Sequence, residues 1–182
     1  MAINKMLLKT AAAVAVMMAF QAPSYAVDSA SLEVGTGNQT TVIRGAVQWQ
    51  WKNTAWWQSN GTHISGYWDL SLADWREKRF NNTDSTHNLY DLGFTPVFRF
   101  ERDDRKGPYA EGGVGLHLAS ELYNNNDKHF STAFQFGDHI GAGYVFNNGL
   151  DLGFRLQHLS NGGIKHPNGG VNYALIRVGY GF

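Results

Sequence analysis

A histidine and a serine two residues apart, His158 and Ser160, are the first residues in this chain whose types and spacing could do chemistry. They end a run in which Leu150, Leu152, Phe154 and Leu156 alternate with Asp151, Gly153, Arg155 and Gln157. Period-two alternation predicts a β-strand with one apolar and one polar face. Continued parity puts His158 and Ser160 on the apolar face, at the strand's end. An imidazole beside a hydroxyl is the minimum set for acyl transfer, the ring taking the proton as the oxygen attacks a carbonyl carbon. Spacing by itself is a weak signal, since such a constellation is defined by geometry and a histidine near an interface can simply snorkel its polar tip. Beyond the pair, Asn161-Gly162-Gly163 and Pro167-Asn168-Gly169-Gly170 are turn chemistry. Asn172 opens the next alternating run, so a hairpin brings it back towards His158.

A carboxylate enters by register. If Phe146 pairs with Leu150 across the Asn147–Gly149 turn, His158 falls opposite Asp138 and Ser160 opposite Phe136. Directly opposed Cβ atoms lie about 4.5–5.5 Å apart, within reach of the imidazole. Asp138 shares the parity of Ile140 and Ala142, an expensive place for a charge in a membrane unless it has a partner or sits near headgroups. It is therefore either a substitute acid for the histidine or a marker of the headgroup boundary. Asn124 to Asp127 could hold calcium as an oxygen-rich loop, but a solvated turn is the expectation. His87, His129 and His166 lie in presumed loops without ligand spacing. Gly112, Gly113 and Gly115 fall mid-strand, unlike a phosphate-cradling loop. No metal and no cofactor is expected.

The elements that must position these residues are strands. The first 26 residues read as a signal peptide: Lys5 and Lys9, an apolar Ala11 to Phe20, then Ser24-Tyr25-Ala26 as a cleavage site. Residues 27–182 remain, 156 residues (182 − 26), one domain by size. No later segment approaches the roughly 20 apolar residues of a helical span. Cysteine is absent, and 15 basic residues balance 15 acidic ones, which argues against a nucleic-acid partner. Eight alternating runs follow: Leu32 to Gly35, Thr41 to Trp51, Thr62 to Ala73, Asn88 to Glu101, Tyr109 to Ala119, Phe134 to Phe146, Leu150 to His158 and Tyr173 to Phe182. Pro96 should make the fourth irregular.

Across these runs Asp69, Asp91, Arg99, Glu101, Glu111, Asp151, Arg155 and Arg177 all fall opposite the apolar residues. Parity does not say which face is inside, and a soluble ligand-carrying barrel shares the pattern. The terminal Gly179-Tyr180-Gly181-Phe182 resembles the last strand of bacterial outer-membrane barrels, and Trp49, Trp51, Trp68 and Trp75 suit interfacial girdles. The expectation is an all-β, eight-stranded antiparallel transmembrane β-barrel with lipid outside and a polar interior. Such barrels resemble one another in having both termini in the periplasm. The end of the seventh strand, with His158 and Ser160, is then extracellular, and the Asn161 to Val171 loop lies outside the cell.

The run His158-Leu159-Ser160-Asn161, followed by Gly163-Ile164-Lys165, Pro167-Asn168 and Gly170, resembles the lipid A deacylase (PagL) family, which removes the 3-O-linked acyl chain of lipid A. The resemblance extends to the signal peptide, the mature length and the terminal phenylalanine. It implies an outer-membrane ester hydrolase with His158 as general base, Ser160 as nucleophile and Asn161 as an oxyanion donor; Phe136 and Asn168 match positions that shape the site. Its partners would be lipid A as substrate and the outer membrane, with room for a homodimer. One position departs from the family: where it carries a glutamate to orient the histidine, this chain has Asn172. Either the triad's third member is atypical, or another carboxylate, Asp138, substitutes. The rival to all of this is a non-catalytic small outer-membrane barrel of adhesion or membrane-stabilising type.

Overall fold

The structure, a computed structural model, describes residues 26–52 and 56–182. The segment expected to be a signal peptide thus lies outside the described residues, except for Ala26. Eight long strands, β1 (Ser29–Gly37), β2 (Thr40–Gln50), β3 (Thr62–Phe80), β4 (Ser85–Arg102), β5 (Gly107–Ala119), β6 (Phe134–Val145), β7 (Leu150–Ser160) and β8 (Val171–Gly181), pair antiparallel with their sequence neighbours. β8 pairs back onto β1, so the sheet closes into a barrel. Trp57–Ser59 adds a short strand against the start of β3, and Asn124–Asn125 with Lys128–His129 form a small hairpin between β5 and β6.

Closure is staggered, and the stagger fixes relative heights. From Leu156 the pairing runs through Ala174, Thr36 and Thr41 to Arg76; the other way it runs through Ile140, Gly112 and Phe98 to Gly66. One level on β7 thus meets β3 at two points ten residues apart (76 − 66). Strands in a closed barrel are tilted, so the true height match is the midpoint, near Ser71.

Parity follows the expected assignment. Leu32, Ile43, Leu72, Leu92, Phe94, Leu116, Ile140, Phe154 and Ile176 are exposed on the outer face. Inside, Arg44 bonds Glu33 (2.6 Å) and Asp69, Arg99 bonds Glu111 (2.7 Å), Arg155 bonds Glu111 (3.0 Å) and Arg177 bonds Asp151 (3.1 Å). Each of these charges has an opposite partner, the condition for burying it. Large apolar residues outside and paired charges inside invert a soluble protein and fit a lipid-embedded barrel.

The structure extends several strands, the first from the expected Leu32 to Gly35 to Ser29–Gly37. The third run, expected to end at Ala73, continues to Phe80, and the fourth begins at Ser85 rather than Asn88. Outward apolar residues give way to Asp74, Arg76 and Lys78, so the sequence pattern fades where the strand leaves the apolar band. Trp75 faces inward at 2% exposure and is no girdle residue. It joins Val42, Leu89, Tyr123, Phe130, Leu159, Val171, Tyr173 and Leu175 in an apolar plug beneath the rim loops. At Pro96 the ladder to β5 lapses after Phe94 and resumes in register at Val97, as a residue without an N–H requires.

Candidate active site

β7 brings His158 and Ser160 out of the barrel wall on the same face as Phe154 and Leu156, both half-exposed. Their inward neighbours alternate with them: Gln157 reaches towards His117 in the interior and Leu159 is buried in the plug. Cα atoms two apart on a strand are about 6.6 Å apart on one face, which sets the imidazole beside the hydroxyl. The Ser160 hydroxyl forms no hydrogen bond with the described residues.

The expected register holds: His158 pairs with Asp138 on β6 and with Asn172 on β8, and Ser160 pairs with Phe136. Of the two candidates for orienting the ring, Asn172 makes the bond. The His158 Nδ1–H donates to Asn172 Oδ1 at 2.7 Å. With Nδ1 protonated, Nε2 keeps its lone pair, the state a general base needs. Asp138 is exposed, and its carboxylate makes neither a hydrogen bond nor an ion pair with the described residues. Gly170 closes over the other side of the ring. Its φ is +53°, and a Cβ there would stand 2.7 Å from His158 Cε1, so only glycine lets the backbone approach this closely.

The loop from Asn161 to Gly170 is fixed by Asn161, which is fully buried. Its Nδ2 donates to Ser131 Oγ (3.0 Å) and to the Lys165 carbonyl (2.7 Å), and its Oδ1 accepts from the Gly163 N–H (2.9 Å). Its own N–H donates to Asn168 Oδ1 at 3.0 Å. Every donor of Asn161 is therefore committed, and its part is to post the loop, contrary to the expected oxyanion role. Asn168 is the residue this leaves equipped: its Oδ1 is pinned by Asn161, and its Nδ2 has no partner among the described residues. Nothing in residue type distinguishes these two asparagines, so sequence reasoning could not separate their roles. Phe136 packs against the loop, within 3.2 Å of where a Cβ on Gly162 would sit.

A second loop supports the first. Ser131 Oγ donates to the Lys165 carbonyl (2.8 Å), the Gly169 N–H to the His129 carbonyl (3.1 Å), and Phe130 bridges to Asn168. The Asn124 to Asp127 turn, expected to be solvated or to hold calcium, is a brace instead. Asn125 is buried, its Nδ2 donating to the Asn38 carbonyl (2.7 Å) and to Thr40 Oγ1 (3.0 Å), and its Oδ1 accepting from the Arg79 N–H (2.6 Å). Both oxygens of Asn125 are spent on the protein. Burial pushes the nearby Tyr123 phenol up, keeping it neutral as it bonds Thr40 Oγ1 at 2.9 Å. Among the described residues no three histidines or carboxylates are grouped to hold a metal ion.

The family described as Lipid A 3-O-deacylase (PagL) matches residues 42–181. The chain is 32% identical over 174 residues to a Pseudomonas aeruginosa protein named lipid A deacylase PagL, covering 94% of this chain and 96% of that one. It is 36% identical over 98 residues to a Bordetella bronchiseptica protein of the same name, covering 54% of this chain and 53% of that one. The crystal structure of the outer membrane enzyme PagL superposes with a TM-score of 0.73 at 29% identity, covering 85% of this chain and 99% of that chain. The β-barrel domain of Pseudomonas aeruginosa OprF superposes at 0.52 and 15% identity, a likeness of fold alone. The matched span runs from β2 to the end of β8 and includes the dyad and its loop, and on that footing the chain belongs to the lipid A 3-O-deacylase (PagL) family.

Proposed function

We propose that this chain hydrolyses the ester linking a 3-O acyl chain to lipid A, working in the outer leaflet of the outer membrane, with Ser160 as nucleophile and His158 as general base. The observation that carries the proposal is the His158–Asn172 hydrogen bond on the lipid-facing wall: an oriented base beside a free hydroxyl, above a belt of exposed leucine and phenylalanine. Family membership supplies the substrate class.

The Ser160 oxygen attacks the acyl carbonyl carbon while its proton passes to His158 Nε2. The carbonyl oxygen becomes an oxyanion facing the Asn161–Gly170 loop, where the unspent Nδ2 of Asn168 donates to it. Collapse breaks the bond to the sugar oxygen, which takes the proton from Nε2 and leaves an acyl-serine. Water then attacks, giving its proton to Nε2; the second collapse frees the fatty acid and returns the proton to Ser160. Asn172 holds the ring throughout but cannot compensate the imidazolium charge as a carboxylate does. The exposed apolar face of β7 and β8 gives the acyl chains a wall to lie against.

The test is the mass of lipid A from cells making each variant. The parent should remove one 3-O acyl chain; Ser160→Ala and His158→Ala should leave lipid A intact while the barrel keeps its heat-modifiable migration in gels. Asn168→Ala should lower kcat about a hundredfold, the lower end for a lost oxyanion donor. Deacylation retained in Ser160→Ala would end the assignment.

A further inference from the structure

On the wall opposite the dyad, a groove of about 680 Å³ crosses the rim-side ends of β2, β3 and β4, lined by Thr41, Ile43, Asp74, Arg76, Lys78 and Asn88. That volume is in the range of small-molecule sites, about 300–1,000 Å³. The barrel's stagger sets its height. Ser71 is level with Leu156, so His158 and Ser160 are level with Ala73 and Trp75, and Arg76 and Lys78 stand just rimward of them. The outward side chains of β3 change character at that level, Leu70 and Leu72 giving way to Asp74, Arg76 and Lys78.

The charges in this groove are unlike those inside the barrel. Arg76 and Lys78 are exposed, and their side chains make no ion pair or hydrogen bond with the described residues. The groove's carboxylate, Asp74, accepts from Asn88 Nδ2 at 2.8 Å and pairs with neither cation, which leaves the groove with a positive excess. Nearby Arg79, by contrast, pairs with Asp84 at 3.2 Å. Below the cations, Ile43, Leu72 and Leu92 are 52%, 44% and 50% exposed, and Leu72 pairs directly with Leu92. Two cations free of ion pairs at the edge of an apolar belt complement a headgroup phosphate with its acyl chains beneath.

We propose that this groove binds a phosphate-bearing lipid of the outer leaflet, its phosphate between Arg76 and Lys78 and its acyl chains along Ile43, Leu72 and Leu92. The outward residues of β2, β3 and β4 include no histidine–serine pair, so this lipid is held and not cut. The inference rests on the reading that the rim of the dyad faces the outer leaflet. Its role is to fix the barrel's height and tilt from the far side, keeping His158 and Ser160 at the level of the ester.

The experiment is native mass spectrometry of the mature chain carrying Ser160→Ala, in detergent micelles with purified bis-phosphorylated lipid A. Adding Arg76→Gln and Lys78→Gln should weaken the retention of one lipid about tenfold, the scale of a lost charge-assisted contact, whereas Arg76→Lys should keep it. Dephosphorylated lipid A should be retained as weakly by the unaltered groove, and excess inorganic phosphate should not displace the lipid. Equal retention with and without the two glutamines overturns the proposal, as does displacement by free phosphate. Both exposed side chains support no core, and heat-modifiable migration verifies folding. With Ser160 intact, the double variant should still deacylate in micelles; absence of deacylation in the parent defeats the proposed activity, while the lipid retained reads the groove separately.

Discussion

The bond between His158 and Asn172 can be tested to a magnitude. Asn172→Ala removes the acceptor of the Nδ1–H, a neutral bond of 2.7 Å at an exposed position. Such a bond contributes about 0.5–1.5 kcal/mol net, so kcat should fall about two- to twelvefold at room temperature. Asn172→Asp is the opposite perturbation: it keeps the shape and turns the acceptor into an anion. Hydrogen bonds to ionised acceptors are roughly twice as strong, and the gain falls where the imidazolium forms, in the transition state. Asn172→Asp should therefore raise kcat about tenfold, as should Asn172→Glu, the residue that the family resemblance puts at this position.

The assay is the rate of acyl release from lipid A in detergent micelles, with Asp138→Asn measured beside each variant. Because Asp138 pairs with His158 across β6 and β7 without bonding it, Asp138→Asn should change kcat by no more than about twofold, within the span of an exposed charge. Full activity in Asn172→Ala together with a hundredfold loss in Asp138→Asn would refute the reasoning, and would put the imidazole's partner on β6 instead of β8.

Two further outcomes follow from the packing. Gly170→Ala should cost at least tenfold in kcat, and about 1–2 kcal/mol in stability from its positive φ, since its Cβ would stand 2.7 Å from His158 Cε1 and a 1 Å misplacement of a reacting group can cost about a hundredfold; a rate within twofold of the parent would show that the ring yields. Glu111→Gln should destabilise the barrel by about 3–5 kcal/mol, as breaking a buried pair does, because Glu111 faces both Arg99 and Arg155; the heat-modification temperature in gels is the measurement, and no downward shift would mean the two arginines find other partners.

What the sequence could show was set by period two. Strict alternation along Leu150 to Leu156 makes the strand, its faces and the outward parity of His158 and Ser160 legible, and one turn length fixes their register with Asp138 and Phe136. The same signal fails where its physical cause ends. Beyond Ala73 the outer face leaves the apolar band, so Asp74, Arg76 and Lys78 look like loop although the ladder continues to Phe80. Trp75 belongs to the opposite parity, and its burial becomes clear only once β3 is extended past it. Register also says which residues are opposed without saying which of them bond: His158 has Asp138 on one side and Asn172 on the other, and rotamers decide between them. The functions of Asn161 and Asn168 differ only by where their amides are already spent.

The dyad stands on the outer face of a one-layer wall, and this explains how it is held. Side chains on a strand alternate between lipid and interior, so each exposed residue of the site is flanked in sequence by a buried one. Gln157 and Leu159 are fixed by His117 and by the plug, and they hold the backbone from which His158 and Ser160 project. On β8 the inward neighbours of Asn172 are Val171 and Tyr173, which join the same plug, with Trp75 and Tyr173 ring to ring at 4.9 Å. The acceptor and the donor of the 2.7 Å bond are thus anchored in one apolar cluster on the far side of the wall. Position is supplied by the interior, whereas on the proposed function substrate access would come from the open outer face. A lipid with several acyl chains can meet such a site by lateral diffusion, its chains along Leu156 and Phe154 and its polar part level with Asn172 and the loop. On the proposed function, an ester at the boundary of hydrocarbon and headgroup needs a nucleophile at that boundary, and Ser160, the last outward residue of β7, would supply it.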